Sequence, residues 1–164
     1  MLLYRLYCDG ACKSNGATYA RAAIGGVLYR LTDEKDLSLD EENEENVVQR
    51  YSQFLHPTLQ RPAQHITNNV AEYESLLYGL RVLISLSLPP EAKIEIRTDS
   101  RLVVGQVSQG WKITKAHLRT LQRQALNLLK QIPNPVQFTW IPREQNKIAD
   151  ALANEAILNR QQSR

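Results

Sequence analysis

The sequence predicts an α/β domain: a five-stranded mixed sheet, strands 1 to 3 antiparallel and strands 4 and 5 parallel to strand 1, flanked by helices. Three observations lead there. Segments of strand and helical character follow in the order three strands, helix, strand, helices, strand, helix. The first three strands lie close together in the chain, which suits an antiparallel meander, whereas strands separated by helices pair in parallel. The chain has 164 residues, 43% hydrophobic and 23% charged, enough for one substantial core. A single domain over residues 1–164 is therefore expected.

The first strand is read at 2–8, "LLYRLYC", ending at Asp9-Gly10 as a turn signal. Residues 22–31, "AAIGGVLYRL", and 47–55, "VVQRYSQFL", supply the next two strands. Between them an acidic stretch, about 32–46, has no periodicity and reads as an extended loop or disordered insertion. "TNNVAEYESLLYGL" then opens a helix near residue 69, with Tyr73, Leu76, Leu77, Leu80, Leu83 and Ile84 on one apolar arc, and Pro89-Pro90 stops it. "AKIEIRT" at 92–98 alternates cleanly as a fourth strand. A short helix follows from Ser100, and a longer one over about 115–131 carries Leu118, Leu121, Ala125, Leu128 and Leu129 on one side. "VQFTWI" at 136–141 is the fifth strand and 146–159 the last helix.

Charge narrows the function. The net charge is +3, but residues 33–45 hold eight of the 17 acids and one of the 20 bases, so the remainder carries 19 bases against nine acids. A basic body suits a polyanionic partner. No segment offers the ~20 apolar residues that span a bilayer, because the best candidate, 76–88, contains Arg81. Arg5 and Asp9 interrupt the N-terminal apolar run too early for a signal peptide. Cys8 and Cys12 fit neither a zinc motif nor a disulfide framework, and a reducing, cytoplasmic setting is expected.

Outside the acidic stretch, four of the nine acids occupy junctions of secondary structure: Asp9, Glu72, Asp99 and Asp150. Each has a local account. Asp9 suits an Asp-Gly turn, and Asn69-Val-Ala-Glu72 has the spacing of a capping box. Asp99 suits a helix cap and Asp150 a helix dipole. Four such coincidences are less economical than four carboxylates gathered on one rim of the sheet. Gathered acids repel unless cations neutralise them, and hard Mg²⁺ or Mn²⁺ ions take oxygen ligands. Two such ions about 4 Å apart stabilise the attacking and leaving oxygens of an in-line phosphoryl displacement.

"DGACKSNG", "TNNVAEYESLLYGL", "TDSRLVVGQVSQGW" and "WIPREQNKIADALANEA" resemble, in order, the four signature blocks of type 1 ribonuclease H, over about residues 3–157. The resemblance implies a ribonuclease H-like fold and an endoribonuclease that hydrolyses the RNA strand of RNA–DNA hybrids with two Mg²⁺ or Mn²⁺ ions, leaving 5′-phosphate and 3′-hydroxyl ends. It implies Asp9, Glu72, Asp99 and Asp150 as catalytic metal ligands, with Asp9 shared between the ions. It also implies substrate contacts from Asn15, Asn68 and Asn69, whose amides can bond a ribose 2′-hydroxyl. Turn and cap duty is their competing role, and Ser100 likewise bonds a phosphate or caps a helix. A monomer without an obligate protein partner is expected.

Three features depart from the family pattern. The loop between Trp140 and Asp150 lacks the histidine of many bacterial members, and Arg143 or Glu144 is placed to assume part of its role. The basic handle is missing, with Lys112, Lys115, Arg119 and Arg123 as a modest substitute or simply a solvated helix face. The acidic stretch is not a family hallmark. The competing functions are a non-catalytic nucleic-acid-binding module, a junction resolvase or transposase core, and a nuclease for RNA–RNA duplexes.

Overall fold

The computed structural model describes residues 1–16, 19–33 and 43–162. Most of the acidic stretch, 34–42, lies outside these residues. The strands are β1 Leu3–Lys13, β2 Arg21–Leu31, β3 Val47–Leu55, β4 Lys93–Thr98 and β5 Val136–Trp140. The helices are α1 Asn68–Ser85, α2 Arg101–Ser108, α3 Ala116–Lys130 and α4 Lys147–Gln162. The five strands are ordered β3-β2-β1-β4-β5, with β1–β2 and β2–β3 antiparallel and β1–β4 and β4–β5 parallel. This is the mixed sheet that the order of elements predicts.

Period-two alternation divides the sheet between two cores. On one face Tyr4, Leu6, Cys8 and Leu28 pack against Val70, Tyr73, Leu77 and Leu80 of α1, with Leu118, Leu121 and Ala125 of α3 beyond. On the other, Tyr7, Val27, Tyr29 and Leu31 meet Ile141 and Ala149, while Ala23 meets Ala156 and Ile157 of α4. The helical periodicity of 69–84 is thereby expressed as burial of one face against the sheet.

The first strand does not stop at Asp9-Gly10. It runs on to Lys13, with Asp9 opposite Gly25 and Gly10 opposite Ile24 in the β1–β2 ladder. The dipeptide is therefore mid-strand rather than a turn, because a continuous antiparallel partner is available along its whole length. Gly10 has another reason to lack a side chain: a Cβ there would overlap the backbone of Ala71 and Glu72 in α1. Gly25, opposite Asp9, meets the other layer in the same way, since its Cβ would overlap Ala149 O and Ala153 N of α4. The two absent side chains let a helix approach each face at the level of Asp9.

Candidate active site

Asp9 is nearly buried in β1. Glu72 is in the second turn of α1, Asp99 follows β4, and Asp150 stands in the first turn of α4. These four acids, separated by up to most of the chain, line one cavity of about 400 Å³ together with Lys13, Asn68 and Arg143. One carboxylate oxygen from each of Asp9, Glu72 and Asp99 lies within 4.8 Å of the other two. Among the described residues this is the one group of three or more acids, histidines or cysteines arranged so closely. Asp150 adds a fourth carboxylate, near enough to hydrogen-bond Asp9.

The electrostatics follow from this crowding. Asp9 is pushed up to about 10, first by burial and then by the charges of Glu72 and Asp99, with Asp150 adding to the effect. Glu72 is pushed up to about 8 by burial and by Asp99, although the Gly10 N–H donates to its Oε2 at 3.2 Å and opposes the rise. The donors are all hard carboxylate oxygens, with no histidine among them. A divalent ion of the Mg²⁺ or Mn²⁺ kind fits that donor set.

Several neighbours orient the acids. Asn146 is 1% exposed, and its Nδ2 donates to Asp99 Oδ1 at 3.2 Å and to Cys8 O at 3.0 Å. The first turn of α4 begins on the same residue, where Asp150 N–H donates to Asn146 O at 3.0 Å. Asn146 thus ties β1, Asp99 and the helix carrying Asp150 together. Trp140 Nε1 donates to Asp99 O at 3.1 Å, and the Arg101 guanidinium lies 3.8 Å above the Trp140 ring. Asn154 Nδ2 bonds Asp150 Oδ1 at 3.2 Å, and Arg143, largely exposed, stands 3.8 Å from the same oxygen.

The smaller polar residues separate by role. The N-cap of α1 is Thr67, whose hydroxyl accepts from Val70 N–H, so neither Asn68 nor Asn69 caps the helix and Glu72 closes no capping box. The threonine one residue upstream has the extended backbone that a cap requires. Asn15 reaches across from the loop after β1 and accepts from Asn68 N–H at 2.8 Å, a cap supplied from outside the helix. Asn68 borders the cavity, whereas Asn69 is not among its lining residues. Ser100 is mostly buried and caps α2 by accepting from Val103 N–H at 3.2 Å. His65 and His117 stack at 4.5 Å along a separate groove, and neither they nor His56 line the carboxylate cavity. Of the substitute handle, Arg119 bonds the carbonyls of Ile113 and Thr114, and Trp111 lies over Gly105 with half its surface exposed.

A family model described as reverse transcriptase-like matches residues 53–156. A bifunctional protein of Mycobacterium tuberculosis is 41% identical over 91 residues, which cover 56% of this chain and 24% of that protein. A ribonuclease HI of Halobacterium salinarum is 37% identical over 91 residues, covering 56% of this chain and 44% of that protein. The matched part thus spans less than half the length of either curated relative. The likeness to solved structures is more extensive. LC11-RNase H1, in complex with an RNA/DNA hybrid, superposes with a TM-score of 0.75 at 30% identity, covering 96% of this chain and 99% of that one.

Proposed function

Because the chain belongs to the type 1 ribonuclease H family, we propose that it hydrolyses the RNA strand of RNA–DNA hybrids, leaving 5′-phosphate and 3′-hydroxyl ends. The observation that carries this reading is the meeting of Asp9, Glu72 and Asp99 within 4.8 Å. The hybrid bound by LC11-RNase H1 supports the choice of substrate.

In this reading Asp9, Glu72, Asp99 and Asp150 are the residues that would hold two Mg²⁺ or Mn²⁺ ions. When bound, the ions supply the positive charge that an in-line phosphoryl displacement needs on its attacking and leaving oxygens. The protein's own work is positioning. Asn146 turns the Asp99 carboxylate toward Asp9, and Asn154 fixes that of Asp150. Asn68 offers an amide at the cavity rim, with Asn15 holding its backbone and Asn69 beside it, for a ribose 2′-hydroxyl. Lys13 and Arg143 add cationic charge at the rim, where the phosphate chain approaches. Arg143 is also the group placed to ease proton transfer or product release in a loop without histidine.

We further infer a single catalytic domain over 1–164 that includes the stretch at about 32–46, and a monomer, because one chain supplies the whole cavity. The free thiols Cys8 and Cys12 favour a reducing, cytoplasmic setting. Among the described residues no helix is long and apolar enough to cross a membrane.

The test uses one labelled hybrid and the matching DNA and RNA duplexes. Cuts are expected in the RNA of the hybrid alone, only with Mg²⁺ or Mn²⁺, and none with Asp9→Asn. Cleavage that persists in Asp9→Asn, or without metal, would falsify the mechanism. Binding without cutting would make the chain a nucleic-acid-binding module.

A further inference from the structure

Ser75 lies one turn beyond Glu72 on α1 and is fully buried. A serine inside a helix ordinarily returns its hydroxyl to a carbonyl of its own preceding turn. Here both hydrogen-bonding capacities go to the sheet. Ser75 Oγ accepts from the Asp9 N–H at 3.2 Å and donates to Gly25 O at 2.9 Å. Asp9 and Gly25 are register partners in the β1–β2 ladder, so the hydroxyl bridges the two central strands at the level of the candidate shared ligand. The serine is itself held in place: Tyr51 of β3 donates its phenol to Ser75 O at 2.8 Å, with its oxygen 3.3 Å from Ser75 Oγ.

We propose that Ser75 is a positioning residue for metal binding, clamping the backbone that carries Asp9 to the helix that carries Glu72. The inference rests on the reading above, in which these two acids hold the ions. The helix gives it its force. Ser75 and Glu72 are three residues apart and share one side of α1, and Glu72 Oε2 accepts from Gly10 N–H, the amide next to the one Ser75 accepts. Successive amides of β1 are thus fixed by successive turns of one helix, and the Asp9–Glu72 spacing is set through the backbone rather than by the carboxylates, which repel.

Ser75→Ala removes the bridge while leaving both carboxylates intact. Tyr51→Phe is the control, because it removes one buried hydrogen bond from the same cluster and spares the contact with Asp9. Both variants are expected to fold and to melt a few degrees below wild type. Calorimetry on the substrate-free full chain should show Mn²⁺ affinity roughly tenfold weaker in Ser75→Ala, about the worth of one hydrogen bond, and within about twofold of wild type in Tyr51→Phe. With the hybrid, kcat at limiting metal should fall by a similar factor in Ser75→Ala while KM holds. Amide exchange at Asp9 should quicken in Ser75→Ala alone. If Ser75→Ala fails to fold, Ser75→Cys carries the same expectations, having similar volume and a weaker hydrogen bond. A wild type that binds no divalent ion refutes the functional reading itself. A wild type that binds, with Ser75→Ala equal to it in metal affinity and kcat, or with Tyr51→Phe losing as much affinity as Ser75→Ala, overturns the clamp alone.

Discussion

Without metal, the protein is expected to lose stability as pH rises from about 6.5 to about 8, an unusual direction for a carboxylate effect. The perturbation is the burial of Asp9 and Glu72, to which the repulsion of neighbouring carboxylates adds. Their ordinary values of 3.8 and 4.5 rise in the folded chain to about 10 and about 8. Folded values above unfolded ones mean that the folded chain binds more protons throughout the window between them. The stabilisation is complete below the ordinary values and is lost as pH climbs through the raised ones. One proton held by the folded chain alone changes stability by ~1.4 kcal/mol per pH unit. Asp9 alone therefore gives a loss of ~2 kcal/mol between about pH 6.5 and about pH 8, and Glu72 adds to it. In a chain of this size that is a fall in Tm of ~4 to 8 °C. His117, held below its ordinary 6.5 mainly by burial, acts in the opposite sense but only toward the acid end of the window.

The assay is thermal unfolding in chelator across this interval, repeated with excess Mg²⁺ and with Asp9→Asn. Magnesium should flatten the slope and stabilise more at the alkaline end, because fewer protons then compete for the ligands. Asp9→Asn should reduce the slope and melt above wild type in chelator at about pH 8, since a neutral amide needs no proton. A wild-type Tm that stays level or rises with pH in chelator would refute the reasoning, whatever the nuclease assay shows.

Three further outcomes are expected. Gly25→Ala should destabilise the protein by about 2 kcal/mol or more in urea unfolding, because the methyl group meets the backbone of Ala149 and Ala153 rather than a movable side chain, and metal affinity should fall as α4 shifts with Asp150. Arg143→Ala should leave stability within about 0.5 kcal/mol, its guanidinium being exposed, yet lower kcat several-fold in steady-state cleavage. Hybrid binding by Asp9→Asn should weaken linearly in log affinity against log salt, with a slope of several counterions in a fluorescence titration.

The order of elements and the four acids were legible because each depends on local pattern. Strand alternation, the apolar arc of 69–84 and the prolines that follow need no knowledge of what lies opposite. What sequence reading missed depends on tertiary neighbours. Asp9-Gly10 carries the local signature of a turn, and only the partner strand extends β1 through it. Asn69 to Glu72 has capping-box spacing, yet Thr67 has the backbone that caps. Asn146 had a faint signal as a polar residue at a helix start, but its hold on Asp99 and Cys8 spans most of the chain. Ser75 had none, since a serine inside an amphipathic helix reads as indifferent until the strand amide beneath it is known.

These misses share a cause, and it bears on how the site is built. Crowding carboxylates costs free energy, and packing elsewhere holds the cluster together. Gly10 admits α1 to one face of β1, and Gly25 admits α4 to the neighbouring strand from the other side. The apolar faces of those helices supply the driving force, through residues such as Leu76, Leu77, Ala153 and Ile157 that bury completely or nearly so. Glu72 and Asp150 arrive at Asp9 as passengers on helices held by hydrophobic burial. In the proposed reading, a divalent ion bound there would complete the neutralisation of the gathered charge. Repulsion held in place by packing on both faces of a sheet would then be the physical source of that proposed cation binding.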